Sequence, residues 1–201
     1  MKRMSKKLVS LMLALVMTLS MAMSVCAAPA TAKSTVQVPI KAVVSAAAVG
    51  GTEDEVVFDT AVTVNTDNPQ TLLQAVEAIT SSQGISLEKR TASDGIYIEG
   101  IDGYETVNKY PTPTSWVGEY WKVRVKAGDT VTEYGKRPSW AAAPPAAGGW
   151  FDSLLAPSNL ELGVENNQMY TWVDDPAQST GGFKTDTVAV ELIYVHEEMS
   201  W

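Results

Sequence analysis

Apolar and polar residues change period several times along this chain, and each change marks an element. Val56, Phe58, Val62 and Val64 alternate with Asp59 and Thr63, the period of two of a half-buried strand. Thr66-Asp67-Asn68-Pro69 then offers a capping residue with proline at the first helical position. Leu72, Leu73, Val76 and Ile79 follow as an apolar stripe, so one amphipathic helix is predicted, ending near Gly84. The period returns to two over Ile85 to Arg90 and Gly95 to Ile101, two strands that Ala92-Ser93-Asp94-Gly95 joins as a hairpin.

The next strand has the sharpest pattern. Trp121, Val123 and Val125 alternate with Lys122, Arg124 and Lys126, which predicts one face packed inward and one basic and wet. Lys136 to Leu160 is rich in Ala, Pro, Gly and Trp, with Pro144-Pro145 and Gly148-Gly149 as breakers, and reads as a long surface loop. Loops of that length are commonly functional. Met169 to Val173 and Val188 to Val195 supply two last strands, the latter with Val188, Val190, Leu192 and Tyr194 on one face. A sheet of six or seven strands with one helix makes the class α+β, mainly β. No internal repeat points to a solenoid or propeller.

Before Val56 the chain has no long period. Residues 33–52 are rich in Ala, Val and Ser and read as a flexible leader with room for one short strand, so the folded domain is expected over 53–201. Residues 1–32 have the order of a secretory signal peptide: Lys2, Arg3, Lys6 and Lys7, then an apolar run from Leu8 to about Met23. That run is shorter than the ~20 residues a spanning helix needs. Ala30-Thr31-Ala32 offers a cleavage site ahead of Lys33, with a second near Ala27. Cys26 is the only cysteine, and Val25 before it is a poor fit to a lipoprotein signal.

Removal of such a segment changes the physical chemistry of the rest. No cysteine would remain, which excludes disulfides, thiol nucleophiles and cysteine-ligated zinc. Eleven basic residues would face 23 acidic ones, a net charge of −12 against −8 for the whole chain. That balance argues against nucleic acid and anionic membranes as partners and fits an exported, secreted protein, with association to the cell surface left open.

The block Tyr97-Ile98-Glu99-Gly100-Ile101-Asp102-Gly103, after a helix opening Gln70-Thr71-Leu72-Leu73-Gln74-Ala75 and before Tyr120-Trp121, resembles the transcobalamin-like C-terminal β-domain family, bacterial secreted domains of unknown function. The likeness covers roughly Val56 to Asp174. It implies a β-grasp-like mixed sheet with one amphipathic helix, here carrying a long Trp-, Pro- and Gly-rich insertion. The chain departs from the family where Lys126-Ala127-Gly128 replaces an Asn-Gly turn, and where Leu160-Glu161-Leu162-Gly163-Val164-Glu165 stands for its Gly-Asp block. In transcobalamin-type proteins this domain closes over a corrinoid held against a separate helical barrel. The resemblance therefore implies a corrinoid-type (cobalamin) ligand, bound with a second subunit, as one function.

Candidate chemistry is sparse. His196 is the only histidine and stands beside Glu197 and Glu198, which leaves no partners for a triad or a zinc site. Asp94, Glu99, Asp102 and Glu105 match no calcium-loop spacing and read as a solvated acidic edge. No G-x-S-x-G elbow occurs. The expectation is a non-enzymatic protein without cofactor or metal. The aromatics carry more: of six tryptophans, Trp121 and Trp172 lie in strand patterns and are expected in the core. Trp116, Trp140 and Trp150 fall in Pro- and Gly-rich stretches, where loop aromatics can anchor a partner or stack on a sugar. The candidate ligand-binding residues are Trp116, Tyr120, Trp140 and Trp150, with Tyr104 after the hairpin. The leading function is an extracellular protein- or glycan-binding (adhesion) module.

Overall fold

A computed structural model describes residues 34–170 and 181–201, and within them the strand patterns assemble into two sheets. The chain runs β1 (Thr35–Val44), α1 (Ala46–Val49), β2 (Glu55–Asn65), α2 (Leu72–Gln83), β3 (Leu87–Ala92), β4 (Gly95–Ile101), β5 (Tyr104–Glu105), β6 (Val107–Thr112), β7 (Ser115–Gly135), β8 (Trp150–Asp152), β9 (Glu165–Met169) and β10 (Gly181–Ser200). Seven strands form the larger sheet, in the order β2-β1-β10-β7-β6, with β8 beside β7 and β9 beside β10. The hairpin β3-β4 and the short β5 form a separate three-stranded sheet. The class is α+β, mainly β. The first strand lies parallel to the last in mid-sheet and a helix follows the first hairpin, which is the β-grasp-like plan.

The leader expected over residues 33–52 is corrected by β1. It pairs antiparallel with β2 over its whole length and parallel with β10 through Ile40–Val44, and the compact unit begins at Ser34. Val38, Ile40, Ala42 and Val44 are fully buried and Val43 nearly so. Val36, Val38, Ile40 and Ala42 alternate with Gln37, Pro39 and Lys41, the period of two of a half-buried strand, and the strand ends in the apolar run Ala42-Val43-Val44. The signal segment lies outside the described residues. Among the described residues no helix is long and apolar enough to cross a membrane.

Helix α2 begins at Leu72, later than Asn68-Pro69 suggests. Thr71 is its cap: Thr71 Oγ1 accepts from the Gln74 amide and Gln74 Oε1 accepts from the Thr71 amide, a capping box. Gly84 ends the helix in the left-handed conformation at φ 71°. The next open N–H groups at its start are met by the far end of the long loop, Leu72 N donating to Leu160 O and Leu73 N to Pro157 O. That end is therefore core rather than surface, and Leu160 and Leu162 are fully buried.

The hairpin forms as expected, shifted by two residues at its start, with Ser93-Asp94 as its turn. Asp102 and Gly103 (φ 54° and 83°) make the tight turn into β5. Strand β7 runs straight through Lys126-Ala127-Gly128, where the family resemblance suggests a turn; the irregularity there is a bulge against β10. The same bulge shifts the phase of β10. Phe183, Thr185 and Thr187 face inward before it and Val190, Leu192 and Tyr194 after it, which leaves Val188 exposed instead of aligned with them.

One face of the large sheet is thus the core. Ile40, Val190 and Val125 are register neighbours across three strands, as are Val44, Tyr194 and Trp121. They pack with Leu72, Val76 and Ile79 of α2 and with Ile98 and Ile101 of the small sheet. Trp121 is buried there as its pattern predicts, its indole donating to Tyr104 O at 2.8 Å. The strand expected from Met169 lies earlier in the chain, as β9 over Glu165–Met169, and Trp172 with the end of the expected range, 171–173, lies outside the described residues.

Candidate functional site

The opposite face of the same sheet carries no second layer of sheet or long helix among the described residues, and the even-numbered side chains of β7 stand on it. Trp116, Gly118, Tyr120, Lys122, Arg124 and Lys126 follow one another along the strand. Because β8 pairs Lys126 with Trp150 and Arg124 with Asp152, those two side chains join the same face. Glu191 and Glu197 enter from β10 as register partners of Arg124 and Gly118.

These residues form one connected ladder. Trp116 and Tyr120 rings lie 6.2 Å apart, and Trp116 Nε1 donates to Asn108 Oδ1 at 3.0 Å. The Tyr120 hydroxyl donates to Glu197 Oε2 at 2.7 Å, and Lys122 Nζ to Glu197 Oε1 at 3.0 Å. Lys122 also approaches Asp152 Oδ2 at 3.4 Å, and Arg124 pairs with Glu191 at 3.4 Å and with Asp152 at 3.9 Å. The Arg124 guanidinium sits 5.7 Å from the centre of the Trp150 ring. The basic face expected from the strand pattern is therefore charge-balanced, because β8 and β10 supply the acids.

Protonation follows from these contacts. The Tyr120 hydroxyl, and then Lys122, hold the Glu197 carboxyl below its ordinary range. Burial and the Glu197 bond push the Tyr120 phenol up, so it stays a donor. Burial alone would lower Lys122, but Glu197 and Asp152 outweigh it and raise its ammonium. At neutral pH Glu197 is therefore an anion, and Tyr120 and Lys122 keep their protons.

Gly118 shapes one end of the ladder. A Cβ built there would lie 2.0 Å from Trp116 Cζ2, so the indole fills the space where a side chain would otherwise stand. Trp150, 38% exposed, closes the other end over Arg124.

The five aromatics expected to bind a ligand divide three ways. Trp116, Tyr120 and Trp150 share the open face, but Trp116 belongs to β7 and Trp150 to β8, so only Trp140 is a loop tryptophan. Trp140 lies instead against a cavity of about 420 Å³ walled by Phe151, Leu154, Tyr170 and Phe183. Tyr104 turns to the core: its ring is 5.6 Å from that of Tyr194, and its hydroxyl donates to Glu55. Sequence reasoning misses Asp152, Glu191, Glu197 and Gly118. The period of two in β7 was the available signal, but register across three strands was needed to use it.

The acidic residues near the hairpin are dispersed. Asp94 accepts from Tyr97, Glu99 pairs with Arg90, and among the described residues no three metal-capable side chains come together. Compared with protein families, curated proteins and solved structures, the chain shows no match.

Proposed function

We propose that this protein is an exported, non-enzymatic binding module that holds a linear, uncharged glycan along β7. The observation that carries this reading is the ladder with an aromatic platform at each end and paired charges between. A sugar presents an apolar C–H face to a ring and hydroxyl groups at its rim. Trp116 and Trp150 suit the first, and Lys122, Arg124, Glu191 and Asp152 can donate to or accept from the second.

Arrangement and charge separate a glycan from a protein partner. Protein interfaces place aromatics at a centre depleted of charge and charges at the rim; here the order is reversed. Lys122 and Arg124 are already paired with carboxylates, and the three cations of the face are matched by Asp152, Glu191 and Glu197, so the face has no net charge to draw an ionic partner. The Trp116 and Trp150 rings lie over Gly118 and Arg124, six residues apart on β7, about 20 Å at strand rise. A chain of several sugars spans that length. The corrinoid reading draws on the family resemblance and on the β-grasp-like order of strands, neither of which involves this face.

Titration calorimetry of the purified protein against linear neutral oligosaccharides tests the reading. Binding that strengthens with chain length is expected, with Trp116→Ala and Trp150→Ala each weakening it about tenfold, roughly 1.4 kcal/mol, at unchanged melting temperature. Absence of binding to every such oligosaccharide would refute it.

A further inference from the structure

Beside the ladder, the outer edge of β7 is interrupted. Pairing with β6 stops at Glu119, opposite Val107, and pairing with β8 starts at Arg124, opposite Asp152. Odd-numbered residues of β7 point their backbone groups to this edge: Val123 O accepts from Ser153 N, and Ala127 N donates to Gly149 O. Trp121 lies in the same phase, so its N–H and C=O, and the Val123 N–H, face the gap with no backbone partner among the described residues. Trp121 is buried as a residue and Val123 is half-buried, and amides without partners in such surroundings cost free energy.

The gap opens onto a cavity of about 280 Å³. Ile98, Leu155 and Pro157 give it apolar wall, and Tyr120, Lys122 and Asp152 line it as well as forming the ladder. An occupant must therefore offer an amide to the strand edge, a small apolar group to the wall, and a connection to whatever lies on the ladder. Resting on the glycan reading above, we infer that the slot receives the acetamido group of an N-acetylated hexosamine. Its N–H and C=O meet Trp121 as another strand would, and its methyl group faces Leu155 and Pro157. A continuing peptide strand suits the gap less well, because β6 and Ser153 already occupy the edge on either side and leave room for a single amide.

The decisive comparison is titration of the purified protein with the β-1,4-linked tetramer of N-acetylglucosamine, the corresponding glucose tetramer, and an N-acetylated alanine dipeptide amide. Backbone amide resonances are followed in parallel. The N-acetyl tetramer is expected to bind at least tenfold more tightly than the glucose tetramer and to shift the Trp121 and Val123 amides, which the glucose tetramer leaves in place. Leu155→Trp, which fills the slot, should erase the difference while keeping glucose-tetramer binding; should that variant fail to fold, the amide shifts decide alone. Equal affinity for both tetramers with an unmoved Trp121 amide overturns the slot and leaves the glycan face intact. Binding of neither tetramer overturns both, and shifts of Trp121 produced by the dipeptide alone assign the slot to a peptide.

Discussion

Strand β7 builds two surfaces of opposite kind from alternate residues. Its odd-numbered side chains, Trp121 and Val125, are buried against Tyr194, Val190 and helix α2, while its even-numbered ones, Trp116, Tyr120, Lys122 and Arg124, stand on the uncovered face. Tryptophan occurs on both. On the core side the indole is enclosed, with one acceptor for its N–H and the Tyr194 ring 5.4 Å away. On the open side the Trp116 indole fills the space over a glycine and is half-buried rather than enclosed. The residue type is the same, and the layer on the other side of the sheet decides whether it stabilises the fold or presents a platform.

The strongest way to break this comparison is to remove one indole from each side. Trp121→Ala should cost about 3–5 kcal/mol, the range for emptying a large aromatic from a core. Its signature would be a melting temperature many degrees lower in a thermal scan. Trp116→Ala should stay within about 0.5 kcal/mol of the parent, as surface substitutions do. Equal losses at the two positions would mean that the open face is covered by something and that the division is false.

The division into faces was legible in the sequence and its partners were not. Trp121, Val123 and Val125 against Lys122, Arg124 and Lys126 gave the two faces of β7 by period alone. The acids that neutralise the basic face come from β8 and from β10, far along the chain, and no local pattern carries that pairing. Strand β1 was missed for a different reason: its alternation of Val36, Val38, Ile40 and Ala42 with Gln37 and Lys41 is short, is interrupted by Pro39, and runs into Ala46-Ala47-Ala48 and Gly50-Gly51, which dilute the signal. The helix start moved because Asn68-Pro69 is a better cap by composition, whereas Thr71 with Gln74 satisfies two amides at once. Trp150 looked like a loop residue because β8 is only three residues long.

A subtler change alters the platform and leaves the core untouched. Gly118→Val puts a side chain where the Trp116 ring lies, and because only the far end of the indole is displaced, the ring can swing away. Stability should change by less than about 1 kcal/mol, while affinity for the N-acetylglucosamine tetramer falls toward that of Trp116→Ala. The double variant Gly118→Val with Trp116→Ala should bind no more weakly than Trp116→Ala alone, since the two substitutions remove one interaction. Additive losses in that cycle would show that Gly118 acts on the ligand by some route other than the indole.

The smallest effect separates the two faces by their response to pH. His196 lies on the core side of β10 at its rim, its Nε2 3.2 Å from Glu198 Oε1 and its Nδ1 3.5 Å from Glu119 Oε1. The hydrogen bond to Glu198, and then Glu119, raises its pKa above 6.5, with the ring's slight desolvation opposing them. A raised folded-state pKa means that the imidazolium favours the fold. Its contribution is complete below pH 6.5 and is lost as pH rises through the folded value. As the only histidine it gives a single titrating imidazole signal in a proton NMR spectrum. The midpoint should lie above 6.5 and move down in Glu198→Gln, and the signal should not shift when the N-acetylglucosamine tetramer is added, because the ladder occupies the other face of the sheet. An imidazole that moves with ligand would join the two surfaces of β7 that the alternation of its side chains keeps apart.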